Sequence, residues 1–246
     1  MWSSGTLAAN SEVEKLTVEV KEAALDAGAD LVGVVSSAAI DAHPRHWVGW
    51  KIQEYTKKTT EIMPEAKSVI VIGFHVWDYL LEAALKKEDR WMYPGYFPLS
   101  TQTREVAHLL KARGYKVAPF PPLLSLKRLA QLAGFGNFGK NALMINPRFG
   151  PWIRLGAVLT DAELTFDKPF QRDLCGECDD CVKACPVNAL TPYKVDDSKC
   201  LVGVHLMNGD VSEFAEILKR YEPSLSKNSH MMCIECQKVC KYGNVH

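Results

Sequence analysis

The sequence predicts an α+β protein in two unequal parts, a larger amino-terminal domain over residues 1–165 and a small carboxy-terminal domain over 166–246. Three observations carry this. All eight cysteines lie between Cys175 and Cys240, so the first 174 residues contain none and the two parts differ in chemistry. The cysteine-free part mixes segments of helical periodicity with short runs rich in Val and Ile, the pattern of a mixed layer of helices and strands. At 246 residues, 47% hydrophobic and 24% charged, the chain has ordinary globular composition and can bury a sizeable core.

Each element has its own signal. Ser11 to Ala27 reads as a helix: Ser11 and Glu14 form a capping box, Val13, Leu16, Val20 and Ala24 share a face, and Gly28 closes it. Leu31 to Val35 reads as a strand, and Ser68 to Phe74 as a strand buried on both faces. Ser100 to Arg113 is a helix with a Ser cap that stops at Gly114, after which Tyr115 to Pro119 is extended. Leu126 to Ala133 reads as helix, and Ala142 to Ile145 and Trp152 to Thr160 as strands. Val211 to Arg220 carries an apolar helical stripe of Val211, Phe214, Ala215 and Leu218, read as packing.

Charge and hydropathy exclude several functions. Lys plus Arg equals Asp plus Glu at 29 each, so no global positive field draws in phosphate backbones, and nucleic acid is not expected as a partner. The longest apolar run, Val69 to Val76, is interrupted by Gly73 and His75 and falls far short of the roughly 20 residues of a spanning helix. The start, MWSSGTLAANSEVEK, lacks a basic stretch followed by an apolar core and lacks a twin-arginine pair, so a cytoplasmic location is expected. In that reducing compartment eight cysteines are not a disulfide framework.

Their spacing points to iron. Cys175-Gly-Glu-Cys178-Asp-Asp-Cys181-Val-Lys-Ala-Cys185-Pro186 fits the C-x2-C-x2-C-x3-C-P run of bacterial ferredoxins at every position. Cys200 and the run Cys233-Ile-Glu-Cys236-Gln-Lys-Val-Cys240 supply a second set, with Lys241 where the proline of the first run stands. By the crossed logic of two-cluster ferredoxins, Cys175, Cys178, Cys181 and Cys240 hold one [4Fe-4S] cluster, and Cys185, Cys200, Cys233 and Cys236 hold the other. Zinc is the competing reading, but zinc sites bring two separated pairs.

Gly134-Phe-Gly136-Asn137-Phe138-Gly139 formally matches G-x-G-x-x-G, yet a helix precedes it and a strand follows, the reverse of the dinucleotide fold. Its glycines still require a close backbone approach to something. Asp41-Ala-His43-Pro-Arg-His46 echoes a corrinoid motif with His46 in place of its glycine, and reads as a surface turn.

The stretch from Leu129 through Gly136-Asn-Phe-Gly-Lys140-Asn to Asp161, followed by the double ferredoxin pattern, resembles the shared core of epoxyqueuosine reductases and reductive dehalogenases over about residues 105–246. That resemblance implies a nitroreductase-like corrinoid-binding domain joined to a ferredoxin-like domain with two [4Fe-4S] clusters, and cobalamin held base-off between them. It assigns Gly136, Asn137, Phe138, Gly139, Lys140, Asn141, Arg148 and Gly150 to cofactor contact. Reductive dehalogenases are similar in using a tyrosine beside a basic side chain, which implies Tyr96 and Lys140 as the catalytic pair here. Two departures accompany these matches. Phe120 stands where epoxyqueuosine reductases carry their catalytic aspartate, and the sequence stops after the second cysteine run without the helical repeats that help such enzymes hold tRNA.

The function expected on this basis is a corrinoid- and iron–sulfur-dependent reductase that dehalogenates or deoxygenates a small substrate, a minimal cytoplasmic member of the superfamily. Its electrons would come from a low-potential donor such as ferredoxin or flavodoxin. The alternatives are a tRNA-modifying enzyme like epoxyqueuosine reductase, or a non-enzymatic electron-transfer protein that reactivates a corrinoid partner.

Overall fold

The computed structural model describes residues 4–48, 52–88, 90–203, 215–221 and 226–243, with side chains from residue 11 onward. The chain runs through α1 (Ser4–Asp26), β1 (Leu31–Ser36), α2 (Ser37–Asp41), β2 (Trp47–Val48), β3 (Glu54–Tyr55), α3 (Thr59–Ile62) and β4 (Ser68–His75). It continues through β5 (Ala83–Lys87), β6 (Arg90–Met92), α4 (Phe97–Ala112), β7 (Val117–Pro119), α5 (Leu126–Leu132), β8 (Asn137–Phe138), β9 (Met144–Ile145) and β10 (Ile153–Thr160). The remainder is short: α6 (Asp180–Lys183), β11 (Leu190–Thr191), β12 (Lys194–Val195), a turn of helix at Ala215–Leu218, β13 (Ser229–Met231) and a turn of helix at Glu235–Lys238.

The central sheet has the order β1-β4-β10-β7 and is antiparallel throughout. Seven of the eight residues of β4 are buried, because both faces of the sheet are covered. Ile70 and Ile72 point to one face, where α1 contributes Leu16, Val20 and Ala24 and α4 contributes Leu99, Val106 and Leu110. Val69 and Val71 point to the other, where they meet Leu129 and Ala130 of α5 together with Met144 and Phe149. This alternation explains the unbroken apolar run in the sequence: each side chain finds a core, and each buried Ile or Val is worth roughly 1.5–3 kcal/mol.

The second part is tied back to the first. Strand β13 pairs with β5, which pairs with β6, so the carboxy-terminal segment completes a sheet of the amino-terminal part. Ile234 packs with Val76 and Trp152. Residues before the first cysteine also belong to the amino-terminal core: Asp167 takes the Val34 amide at 2.8 Å and the Lys21 ammonium at 2.8 Å.

Two expected caps are corrected. Helix α1 begins at Ser4 and α4 at Phe97, so Ser11 and Ser100 lie inside their helices. The start signal of α4 is Pro98 in its first turn, where the missing N–H costs nothing, and not Ser100. Of the expected stripe at Val211 to Arg220, Val211 and Phe214 lie outside the described residues, and Leu218 is buried. No helix among the described residues is long and apolar enough to cross a membrane.

Candidate functional site

The eight cysteines are positioned by two short helices that pack on one another, α6 carrying Cys181 and the turn Glu235–Lys238 carrying Cys236. Their thiols fall into two groups. Cys181 feels Cys175, Cys178 and Cys240, and Cys240 in turn feels Cys175 and Cys178. Cys200 feels Cys185, Cys233 feels Cys200, and Cys236 feels Cys233, Cys200 and Cys185. Cys236 also feels Cys181, which brings the two groups close together.

Burial pushes the Cys181 thiol up to about 11 and raises those of Cys200, Cys233, Cys236 and Cys240, so free thiols here hold their protons and thiolates need a cation. No three His, Cys, Asp or Glu side chains among the described residues converge on a point as for a single ion. Two spread sets of soft thiolates suit the corners of cubane clusters instead. A donor is already aimed at one sulfur, the Ala189 amide 3.2 Å from Cys185 Sγ, while the Tyr221 hydroxyl near Cys233 donates to Glu235 Oε1 at 3.3 Å. A bond to sulfur stabilises a cluster thiolate.

Beside the second group opens a cleft of about 890 Å³, between α5, the segment 43–48, Phe138 and the β11–β12 hairpin. Its wall is basic, with Arg45, Lys57, Lys58, Lys127, Arg128 and Lys194 against Asp41 and Asp197. Asp41 is engaged with a neighbouring helix: it accepts from the Thr59 amide at 2.7 Å and hydroxyl at 2.8 Å and so holds the start of α3. Burial, then the charges of Lys127 and Arg128, lower the pKa of His46, favouring the neutral imidazole. Lys127 donates its ammonium to the Ala142 carbonyl, and burial lowers its pKa while Cys200 and Cys236 push it back up. One lysine thus joins the cleft to the second thiolate group.

The glycine-rich segment is placed differently from a cofactor cradle. It forms the β8–β9 hairpin, and a Cβ on Gly136 would collide with the Ile145 carbonyl. A Cβ on Gly139 would meet Ile145 Cγ1 at 2.5 Å, and one on Gly150 would collide with the Tyr242 carbonyl oxygen. The close approach required by these glycines is to the chain itself. Asn137 receives the Leu174 amide at 3.3 Å, and Asn141 donates to the Cys236 carbonyl at 3.3 Å, so these two fasten the loop to the cysteine-rich part. Of the eight residues expected to touch a corrinoid, Phe138 alone lines the cleft. Arg148 stacks 4.8 Å from the Phe149 ring, on the exterior.

Tyr96 and Lys140 are not brought together. Tyr96 lies over Arg154, whose guanidinium carbon is 5.4 Å from the ring centroid, while Lys140 acts on Asp179 at the start of α6. Neither lines the cleft. Beside Tyr96, burial pushes the Tyr93 phenol up to about 12. Phe120, which stands in place of an acid, is exposed at φ +49 just beyond β7.

Sequence reasoning missed the cleft residues. The segment Asp41 to His46 does turn, but it turns as one wall of the cleft, and its two histidines with Arg45 were a legible sign. Lys127 and Arg128 sit on α5 among apolar residues, where two adjacent cations have no packing role to fill.

Residues 174–243 match the family described as a 4Fe-4S double cluster binding domain. An epoxyqueuosine reductase of Prochlorococcus marinus (strain NATL2A) is 26% identical, with 94% of this chain and 79% of that protein covered. A solved epoxyqueuosine reductase bound to an epoxyqueuosine-modified tRNA stem loop matches with TM-score 0.68 at 20% identity, over 94% of this chain and 68% of its own. A reductive dehalogenase described as performing B12-dependent dehalogenation matches with TM-score 0.54 at 19% identity, over 76% of this chain and 28% of its own. The balanced net charge, from which no nucleic-acid partner is expected, conceals a locally basic cleft.

Proposed function

We propose that the chain is a cytoplasmic iron–sulfur reductase of the epoxyqueuosine reductase type, removing an oxygen atom from a modified nucleoside carried by tRNA, a reading supported by its similarity to epoxyqueuosine reductases and by its match to the 4Fe-4S double cluster domain. The observation that carries this reading is the junction at Lys127, which places a thiolate set for a redox cluster against a basic cleft open to an anionic polymer. We assign Cys175, Cys178, Cys181 and Cys240 to one [4Fe-4S] cluster and Cys185, Cys200, Cys233 and Cys236 to the other, on a ferredoxin-like domain at 166–246.

The stoichiometry agrees. Removing the oxygen of an epoxide to leave an alkene takes two electrons and two protons and releases water, and two clusters store two electrons. A low-potential donor such as ferredoxin or flavodoxin would recharge them. Arg45, Lys57 and Lys58 on one wall and Arg128 and Lys194 on the other would hold the phosphates flanking the nucleoside. The space beside the loop's glycines is filled by the chain itself, and the cleft would offer a corrinoid Leu124, Leu126, Phe138 and Ala142 for its faces. Bound there, a corrinoid would supply a low-valent metal centre between cluster and substrate.

The test is anaerobic conversion of an epoxyqueuosine-containing tRNA stem loop by the reconstituted chain with reduced methyl viologen. A product nucleoside lighter by one oxygen, with and without added cobalamin as separate arms, is the expected result. A chain holding about eight irons that leaves the nucleoside intact in both arms would overturn the reading.

A further inference from the structure

We propose that Lys127 is the positioning residue that sets the reduction potential of the second cluster and electrically couples that cluster to the cleft. The inference rests on the assignment of Cys185, Cys200, Cys233 and Cys236 as ligands made above. One hydrogen bond holds the lysine, and two more tie the turn it meets to a ligand cysteine. Its ammonium donates to the carbonyl of Ala142, the next residue, Leu143, is held by its amide to Asn141 Oδ1 at 3.1 Å, and Asn141 donates to the Cys236 carbonyl at 3.3 Å. The ammonium is therefore fixed to the same turn that touches the backbone of a ligand cysteine.

Ala142 has φ +59, a left-handed conformation that a non-glycine residue adopts at a cost, and this conformation belongs to the turn whose carbonyl meets the ammonium. The cation is desolvated, so water screens it poorly, and the thiols acting on it are those of Cys200 and Cys236. On its other side it lines the cleft. A fixed positive charge in this position stabilises the cluster more after it gains an electron than before, which raises the potential of that cluster. The cluster whose potential the lysine sets is the one beside the cleft.

The experiment compares the parent with Lys127→Gln and Lys127→Arg by redox titration under paramagnetic resonance, with iron content measured on the same samples. Glutamine keeps a donor for Ala142 and removes the charge; arginine keeps both. The expected result is a second cluster about tenfold harder to reduce in K127Q, about 59 mV for a one-electron couple, with the first cluster unmoved and K127R close to the parent. Loss of the second cluster in K127Q but not in K127R would also support the role of the charge. Equal potentials in all three proteins, a parallel shift of both clusters, or loss of the cluster in both variants would overturn it. A parent with iron for one cluster only would instead defeat the ligand assignment.

Discussion

Arg154 is clamped between Glu82 and Tyr96: its guanidinium is paired with the Glu82 carboxylate and lies 5.4 Å from the centroid of the tyrosine ring. Glu82 is 1% exposed, and neither its Oε1 nor Arg154 Nε has a hydrogen-bond partner among the described residues. This buried pair joins the 3₁₀ turn Tyr79–Glu82 to the start of β10, and the Glu82 carbonyl accepts from the Met232 amide next to β13, so it braces the contact between the two parts.

Arg154→Met should destabilise the chain by about 3–5 kcal/mol at neutral pH, because it leaves a buried carboxylate alone. The double variant Glu82→Leu with Arg154→Met should recover most of that. Burial holds the Glu82 carboxyl above its ordinary range despite the arginine. The folded state therefore binds this proton more tightly than the unfolded state. Its contribution is complete below the ordinary glutamate pKa of about 4.3 and falls as pH rises through the raised value. Urea midpoints from pH 4 to 8 should show that decline in the parent and a flatter profile in Glu82→Gln; identical profiles would reject the assignment.

Gly136→Val and Gly139→Val should fail by unfolding the β8–β9 hairpin. The added side chain at Gly136 would drive into the Ile145 carbonyl, which is backbone and cannot swing aside. A loss of about 2 kcal/mol or more is expected, accompanied by weaker iron retention, since Asn141 of the same turn bonds to Cys236. Variants with parental urea midpoints and a selective loss of ligand binding would return the glycines to the cofactor site.

Much of the fold is legible in the sequence, for identifiable reasons. The strand at Ser68 to Phe74 is readable because both its faces are buried, and the two cysteine sets because cluster ligation fixes local spacing. The glycine loop shows that something approaches the backbone, but a single sequence does not say whether that something is a ligand or Ile145. The cleft is hidden because its walls, Arg45, Lys57, Lys127 and Lys194, come from four separate segments that the fold brings together. A net charge of zero averages such a wall away. Tyr96 is suggested only by its position along the chain, and tertiary packing gives its face to Arg154.

Lys57→Gln and Lys58→Gln should weaken binding of a tRNA stem loop, and the weakening should be electrostatic. Each phosphate no longer neutralised should reduce the slope of log affinity against log salt by about 0.7–0.9. Lys58 also caps α3 through its amide, which donates to Glu61 Oε2 at 2.7 Å, but that bond is backbone and survives the substitution. Fluorescence anisotropy at about 50 and 200 mM salt, a range over which such binding falls steeply, measures both quantities. Unchanged affinity and slope in the double variant would take the stem loop off this wall.

On the proposed reading, the proton for deoxygenation is expected from the cleft, since Phe120 replaces the acid and Tyr96 does not line the cleft. His46 is positioned for it: its amide donates to Thr56 Oγ1 at 3.1 Å and its carbonyl accepts from the Thr56 amide at 3.0 Å, which fixes the backbone and leaves the imidazole to the cleft. The charged groups around it are Lys57 and Lys58 beside Thr56, Lys127 and Arg128 on α5, Lys194 and Asp197 at the hairpin, and Asp41 and His43 on its own segment. Burial and the α5 cations disfavour the imidazolium, and by the same energies make it a stronger acid once formed. Turnover should therefore rise as pH falls from 8 towards and below the ordinary histidine value of about 6.5. His46→Gln should lose most of the rate and that acidic limb together, while keeping iron content and stem-loop affinity within about twofold, a surface change of roughly 0.5 kcal/mol. A parental pH profile in His46→Gln would place the proton donor on another group of the cleft.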